Sequence, residues 1–221
     1  MYHPLWTVVY SPWTTYHNMI KKIVIIGPES TGKSSLCEQL AQHFNTAWCP
    51  EYAREYLHAN GLKYGYDDLM KIVHGQLAAE DSCTAELNTE YSVSNVQYSK
   101  TNSPSTIHHS PFTIRLSPLL FIDTNMYVMK VWYEYVFGKC EQLVLNEIAK
   151  RKYDLYLLCD IDLPWTFDEM REYPDEQPRA ELYNMYKDLL INQVTPWVEV
   201  SGDYIKRLQT AIAGVEKYCI I

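Results

Sequence analysis

The sequence predicts a three-layer α/β fold in which a parallel β-sheet lies between layers of helices. Short apolar segments typical of buried strands alternate along the chain with segments whose apolar residues recur at helical spacing. Strands that alternate with helices are joined by right-handed crossovers and pair in parallel. A glycine-rich turn at residues 27–35 lies between the first strand and the first helix, where such sheets bind ligands.

Two strands and three helices are predicted before residue 83. The first strand ends in a β-branched run, and the first helix carries Leu36, Leu40 and Phe44 on one face. Gly61 is a favourable residue to end a helix. In chain order, the predicted elements are a strand at 20–26, a helix at 34–44, a strand at 46–49 and helices at 51–60 and 66–82.

The pattern is interrupted at residues 83–118, which are rich in Ser, Thr, Asn and Pro and have few periodic apolar residues. We predict an inserted irregular loop there. A second charged and irregular segment, at residues 160–178, is called the lid segment below. The later predicted elements are a strand at 119–122, helical stretches to about residue 137 and at 141–150, a strand at 153–159, a helix at 179–192, a strand at 198–200 and a helix at 203–218.

A single domain over residues 19–221 is expected, because this length suffices for one well-buried α/β core and is too short for two large ones. Residues 1–18 lack a basic n-region, and Pro4 and Pro12 interrupt their apolar stretches, so they make a poor signal peptide. Since Met19 directly precedes the first strand, we expect residues 1–18 to be a disordered or misannotated extension.

Charge and cysteine content limit the class of partner and the compartment. The net charge of -8 disfavours broad contact with nucleic acid or an anionic membrane, since phosphate contacts need clustered Lys and Arg. No run reaches the roughly 18–20 apolar residues of a membrane span. The cysteines form no C-x-x-C pair and have no metal-ligand spacing, which is typical of reduced thiols. We therefore expect a cytoplasmic protein with a small-molecule partner.

Residues 27–35 read GPESTGKSS, a complete G-x-x-x-x-G-K-S phosphate loop, which indicates a P-loop NTPase or nucleoside-kinase-like fold. Gly27 and Gly32 allow backbone N–H groups to turn toward a phosphate, and the next helix adds the positive end of its dipole. Lys33 supplies a cation for the phosphates of ATP, and the Ser34 hydroxyl is placed to bind Mg²⁺. The predicted nucleotide-binding residues are Gly27, Glu29, Ser30, Thr31, Gly32, Lys33, Ser34 and Ser35.

Asp123 follows the apolar strand LLFI, which places its carboxylate at the carboxyl edge of the sheet. There it can hold Mg²⁺ directly or through water, or orient an accepting hydroxyl. The alternative is a structural helix cap, because Asp is a favoured N-cap residue. Asn125 stands nearby where a hydrolytic ATPase usually has a glutamate, so transfer to a bound hydroxyl is favoured over hydrolysis.

Glu51 and Arg54 lie one helical turn apart in EYAREY, just after the second predicted strand. At that edge of the sheet both side chains can face a ligand cleft. The alternative is an i, i+3 ion pair on a solvated helix face, which contributes only a few tenths of a kcal/mol.

The lid segment contains DIDLPWTFDEMRE, in which Trp165 offers a flat aromatic face and Asp168 lies one turn from Arg171. An arginine on a closing lid can neutralise charge on a transferring phosphoryl group while closure excludes water. Ordinary core packing is the alternative for Trp165. Arg179 is a second candidate cation, for which solvation on a helix surface is the alternative.

Six stretches together resemble the kinase domain of NadR-type ribosylnicotinamide kinases. The resemblance runs from about residue 19 to residue 218, apart from the predicted insertion. Its most restrictive part is a proline-tryptophan lid that follows a D-x-D strand end. The six stretches are GPESTGKSS, EYAREY, HGQLAAE, FIDTN, YDLYLLCDIDLPWTFDEMRE and VSGDYIKRLQTAI.

The resemblance implies ATP-dependent phosphorylation of the 5′-hydroxyl of nicotinamide riboside to nicotinamide mononucleotide, a step of NAD salvage. It implies catalytic roles for Lys33, Asp123, Arg171 and Glu51, with Asp123 near Mg²⁺ and the attacking hydroxyl and Arg171 over the phosphates. Whether Asp123 or Glu51 takes the proton stays open.

The same resemblance implies a substrate site formed by Glu51, Arg54, Trp165 and Asp168, with Glu51 and Arg54 near the ribose. The Trp165 face would bind the pyridinium ring by stacking and cation–π attraction.

Two departures from the family limit what is carried over. Bifunctional NadR proteins join this kinase to an adenylyltransferase domain with an H-x-G-H motif, which is absent from this sequence, so we expect the reaction to stop at the mononucleotide. The insertion at 83–118 is the second departure.

The rival interpretations are a kinase for another nucleoside or small metabolite and a regulatory nucleotide-binding ATPase.

Overall fold

The computed structural model describes residues 20–101 and 118–220, with the side chains of residues 20–91 and 118–220. The extension expected at residues 1–18 lies outside the described residues. In chain order the described elements are β1 (Lys21–Ile26), α1 (Lys33–Phe44), β2 (Ala47–Cys49), α2 (Tyr52–Asn60), α3 (Tyr66–Thr101), β3 (Leu119–Asp123), α4 (Met126–Phe137), α5 (Gln142–Lys150), β4 (Leu155–Cys159), α6 (Glu176–Ile191), β5 (Trp197–Val200) and α7 (Tyr204–Cys219).

The strands of the described chain form one parallel sheet in the order β2-β3-β1-β4-β5. In the central strand β1, Ile25 lies opposite Asp123 of β3 on one side and Leu157 of β4 on the other. This arrangement confirms the predicted α/β fold. The carboxyl ends of β1, β2 and β3 therefore meet at one edge of the sheet, which is where open α/β sheets bind ligands.

Successive residues of β1 enter two different cores, because side chains alternate across a strand. Ile23 and Ile25 pack with α1 and α7 on one face, and Val24 and Ile26 pack with α3, α4 and α6 on the other. A third cluster joins α2, α3, α4 and α5 around buried Tyr133. Helices thus cover both faces, as a parallel sheet requires.

The irregular loop predicted at residues 83–118 is wrong over residues 83–101, where α3 continues as a helix to Thr101. Ala79, Cys83 and Leu87 follow one another at four-residue intervals and pack in the core beside α4 and α6. This apolar stripe extends the packed part of the helix to Leu87, inside a segment whose Ser- and Thr-rich composition indicated a loop. Residues 102–117 of the predicted insertion lie outside the described residues.

The lid segment is irregular up to Asp175, and α6 begins at Glu176 rather than at the predicted residue 179. The segment leaves the carboxyl end of β4 and returns to the helix layer, so it passes over the edge where the strands end. Across the two described stretches of chain, no helix combines the length and the apolar composition needed to cross a bilayer.

Candidate active site

The phosphate loop connects β1 to α1 and depends on two glycines. Gly27 has a φ of 143°, and a Cβ there would lie 2.7 Å from the carbonyl oxygen of Cys159 at the end of β4. Gly32 has a φ of 77° and is the N-cap of α1. Both conformations favour glycine. The loop can therefore pass close to the sheet and present the free N–H groups at the start of α1 to an anion.

Arg207 of α7 is buried and braces the phosphate loop. Its guanidinium donates to the carbonyl of Thr31 over 3.0 Å and to the carbonyl of Gly202 over 2.8 Å. It also donates to the carbonyl of Asp160 over 2.9 Å and pairs with the carboxylate of Asp162. Arg207 therefore ties the phosphate loop to the D-x-D end of β4 and to the segment that follows β5.

Lys33 has one neutral partner among the described residues, since its ammonium group donates to the carbonyl of Pro28 over 2.8 Å. The Thr31 hydroxyl donates to the same carbonyl over 2.8 Å. A flexible lysine with a single carbonyl partner can exchange that bond for a stronger one to a phosphate oxygen.

A cleft of about 410 Å³ opens in front of the phosphate loop and extends between α2, α4, α6 and the lid segment. Nearly all of the predicted site residues meet in it. Those that line it are Gly27, Glu29, Ser30, Thr31, Gly32, Lys33, Ser34, Ser35, Glu51, Arg54, Asp168 and Arg171.

Asp123 lies behind the lining of this cleft, is 0% exposed, and has no hydrogen-bond partner on either oxygen among the described residues. Burial is the main cause that raises its pKa to about 6, and the charge of Glu51 adds to it. The Lys33 ammonium and the Ser34 hydroxyl act in the opposite direction. Unpaired buried carboxylate oxygens beside a serine hydroxyl suit a divalent cation, whose preferred ligands are oxygens.

The alternative role of Asp123 as a helix cap is filled by Asn125, whose side chain accepts the backbone N–H of Tyr127 over 3.0 Å at the start of α4. Between them, Thr124 has a φ of 77°, a left-handed conformation that is uncommon for a β-branched residue. Strained backbone of this kind clusters at functional sites.

Glu51 and Arg54 both face the cleft, and Arg54 pairs with the lid segment. Its guanidinium lies 2.9 Å from the Asp168 carboxylate. The start of α2 is held by buried Gln76 of α3, whose side-chain oxygen accepts the N–H of Tyr52 over 2.8 Å. Gln76 thereby places the preceding residue, Glu51, at the cleft.

The lid segment also contacts the phosphate loop directly. The Ser30 hydroxyl accepts the backbone N–H of Thr166 over 3.0 Å and the guanidinium of Arg171 over 3.3 Å. Arg171 donates to the carbonyl of Thr166 as well. These bonds place the Arg171 cation at the phosphate end of the cleft.

Trp165, which was predicted to bind the substrate ring, is not among the residues that line the cleft. Its ring packs edge-on against Phe167 at 6.2 Å, and its buried indole N–H has no hydrogen-bond partner among the described residues. The rest of the lid segment docks through Ser30, Glu29 and Arg54, and this docking leaves the indole outside the cleft. Arg179 is buried against the carbonyls of Ile161 and Leu163 rather than facing the cleft.

Aromatic side chains that do line the cleft include Tyr64, Trp132 and Tyr135, which we call the aromatic wall. The indole N–H of Trp132 donates to the Tyr64 hydroxyl over 2.8 Å, and the two rings meet edge to face at 5.0 Å. Sequence reasoning missed this wall. The sequence pattern that could have revealed it is the helical spacing of Val128, Trp132 and Tyr135, which places them on one face of α4 just after the Asp123 strand.

A family model described as an AAA domain, AAA_28, matches residues 22–99 and 113–207 of the chain. The chain belongs to this AAA domain family. The matched ranges contain the phosphate loop, Asp123 and the lid segment.

Relatives of this AAA domain protein include two bacterial proteins called trifunctional NAD biosynthesis/regulator protein NadR. The protein from Escherichia coli (strain K12) is 26% identical over 213 residues, which are 94% of this chain and 45% of the relative. The protein from Salmonella typhimurium (strain LT2) is 24% identical over the same shares. The chain thus spans a little under half the length of these relatives.

Solved structures confirm the P-loop kinase fold. A crystal structure of NadR in complex with NR has a TM-score of 0.65 at 24% identity, with 92% of this chain and 50% of that chain covered. Thymidylate kinase from Ehrlichia chaffeensis has a TM-score of 0.56 at 13% identity, with 89% of this chain and 98% of that chain covered. At such low identities these likenesses concern the fold of the AAA domain.

Proposed function

We propose that this AAA domain is an ATP-dependent kinase that phosphorylates the 5′-hydroxyl of nicotinamide riboside to nicotinamide mononucleotide. One observation carries the proposal: a single cleft is lined both by the phosphate loop with its lysine and by the aromatic wall. Similarity to NadR over most of the chain supports the same substrate class.

The donor end of the cleft suits ATP. The N–H groups at the start of α1 and the Lys33 ammonium would bind the β- and γ-phosphates. Ser34 and Asp123 would hold Mg²⁺, which when bound supplies positive charge against the phosphate oxygens. The unpaired buried oxygens of Asp123 fit this use.

The acceptor end of the cleft suits a cationic aromatic ring. Tyr64 and Trp132 offer aromatic faces, and Glu172 of the lid segment adds negative charge. A pyridinium cation near such faces gains about 0.5–2 kcal/mol, depending on how far it is desolvated. Glu51 also lines the cleft and would hold the ribose.

Transfer then needs positioning, charge neutralisation and the exclusion of water. Arg171 is held at the phosphate end by Ser30 and can neutralise charge on the phosphoryl group. The docked lid segment covers the cleft, and Asp123 or Glu51 accepts the proton of the 5′-hydroxyl.

The proposal is tested with purified protein, ATP·Mg²⁺ and a panel of acceptors. Nicotinamide riboside should be the best substrate, and dihydronicotinamide riboside, which has nearly the same shape without the charge, should have a kcat/KM lower by about fivefold, the equivalent of about 1 kcal/mol of cation–π attraction. A higher kcat/KM for uridine, thymidine or deoxyadenosine would make the protein a kinase for another nucleoside. ATP hydrolysis with no phosphorylated acceptor in the panel would indicate a regulatory ATPase.

A further inference from the structure

Glu29 of the phosphate loop binds the lid segment through its side chain. Its carboxylate accepts the backbone N–H of Glu172 at 2.9 Å and 3.0 Å from the two oxygens, and it also accepts the backbone N–H of Tyr173. A carboxylate in a phosphate loop opposes phosphate binding by its charge. Its two bonds to successive amides of the lid segment indicate a different role.

Glu172, whose backbone is held by Glu29, contacts the aromatic wall through its side chain. The Glu172 carboxylate accepts the hydroxyl of Tyr64 over 2.9 Å, and that hydroxyl accepts the indole N–H of Trp132 over 2.8 Å. The ring of Tyr173 meets Tyr135 edge to face at 5.4 Å. A continuous set of contacts therefore runs from the phosphate loop through the lid segment to all three residues of the aromatic wall.

We infer that Glu29 is a positioning residue through which the phosphate loop orders the aromatic wall, so that nucleotide binding improves acceptor binding. This inference rests on the proposed function. Bound phosphates hold the loop backbone in one shape, which keeps the Glu29 carboxylate aimed at the amides of Glu172 and Tyr173. The lid segment then stays docked, and Tyr64 keeps its acceptor.

The surroundings of Glu29 agree with such a role. Burial raises the pKa of its carboxyl above the ordinary value, and the bonds from Tyr173 and Glu172 partly offset that effect. The two amides thus stabilise a carboxylate that the docked lid segment itself removes from water. Ser30, the next residue, also binds the lid segment through Thr166, so two neighbouring side chains of the loop share the docking.

The inference is tested by calorimetry of nicotinamide riboside binding with and without AMP-PNP·Mg²⁺, in the wild-type protein, Glu29→Ala and Glu29→Gln. We expect AMP-PNP to tighten riboside binding in the wild type. In Glu29→Ala the ratio of riboside affinities with and without AMP-PNP should be about tenfold smaller, because two charge-assisted hydrogen bonds are removed. Glu29→Gln should keep most of it, since its amide oxygen can accept both N–H groups. The control is Glu169→Ala, which removes an exposed lid carboxylate that makes no hydrogen bond in the described structure. Its enhancement of riboside binding by AMP-PNP should match that of the wild type.

A second measurement needs no acceptor. Hydrogen exchange at the amides of Glu172 and Tyr173, with AMP-PNP bound, should be faster in Glu29→Ala than in the wild type, and unchanged exchange would overturn the inference. So would equal losses of AMP-PNP and riboside affinity, which would place Glu29 in the nucleotide site.

In a double-mutant cycle, Tyr64→Phe should add little to the loss of riboside affinity caused by Glu29→Ala, and full additivity would also overturn the inference. If the wild type binds no riboside, the proposed function fails, while the exchange experiment still decides whether Glu29 holds the lid segment.

Discussion

Glu51 follows β2 and Asp123 is the last residue of the neighbouring strand β3, so the two acidic side chains lie close together at the edge of the sheet. Burial, and secondly the charge of Glu51, raise the pKa of Asp123 to about 6. A buried carboxylate with no hydrogen-bond partner in the described structure destabilises the free protein. Buried charged groups of this kind occur at functional sites, where the charge interacts with a bound ligand.

Asp123→Asn should therefore stabilise the nucleotide-free protein while it abolishes phosphoryl transfer. The folded-state pKa of about 6 lies above the ordinary value of 3.8, so the penalty is absent below about pH 4, grows between about pH 4 and pH 6, and stays constant at higher pH. At pH 7 the gain in the free energy of unfolding is about 3 kcal/mol. Chemical denaturation of both proteins between pH 4 and pH 8 measures it.

The exposed Asp67, in the first turn of α3, provides the matched control, and Asp67→Asn should change the stability little over the same pH range. A stability difference between wild type and Asp123→Asn that is constant with pH would contradict the assigned origin of the penalty.

Lys33→Ala should lower kcat by about a hundredfold or more, because it removes a cation from the transferring phosphates. Its folding stability should change little, since the ammonium group binds only the carbonyl of Pro28 in the described structure. Steady-state kinetics and thermal unfolding test the two statements. The exposed Lys63, replaced by Ala, should leave both unchanged, and a Lys33→Ala protein with normal kcat would refute the mechanism.

Trp132→Ala should raise the KM for nicotinamide riboside about tenfold with little change in the KM for ATP, because it removes one face of the aromatic wall and the indole partner of Tyr64. Trp165→Ala should affect the riboside KM much less, since the Trp165 ring lies outside the cleft. Kinetics with each substrate varied in turn separates the two variants. A larger riboside effect for Trp165→Ala would restore the role first expected from the sequence.

Gly27→Ala should destabilise the protein and weaken ATP binding. The new methyl group would lie 2.7 Å from the carbonyl of Cys159, and the φ of 143° is unfavourable for alanine. Gly61→Ala separates the two causes, because Gly61 has a φ of 92° and nothing within 4 Å of a Cβ. The Gly61→Ala substitution should lower the free energy of unfolding by about 1–3 kcal/mol through backbone strain alone and should leave the KM for ATP unchanged. Equal changes in stability and in the KM for ATP for both variants would show that contact with Cys159 is unimportant.

Much of the donor site could be predicted from the sequence, because a phosphate loop is a local motif between a strand and a helix. The parallel order of strands then brings Glu51 and Arg54 to the same cleft as that loop, with Asp123 just behind it. The extension of α3 to Thr101 was missed, because its apolar stripe is sparse and its polar composition resembles a loop. As far as Leu87, packing in the core beside α4 and α6 outweighs local composition.

The sequence by itself determined the α/β fold, the phosphate loop and the charged residues at the strand ends, because backbone geometry ties each of these to a short local pattern. Only the tertiary structure decided which aromatic side chains line the cleft. Trp165 lies in an irregular segment without a repeating orientation, so its direction depends on how Glu29, Ser30 and Arg54 dock that segment. Tyr64 and Trp132, 68 residues apart, become one wall only when α4 packs beside the loop that precedes α3.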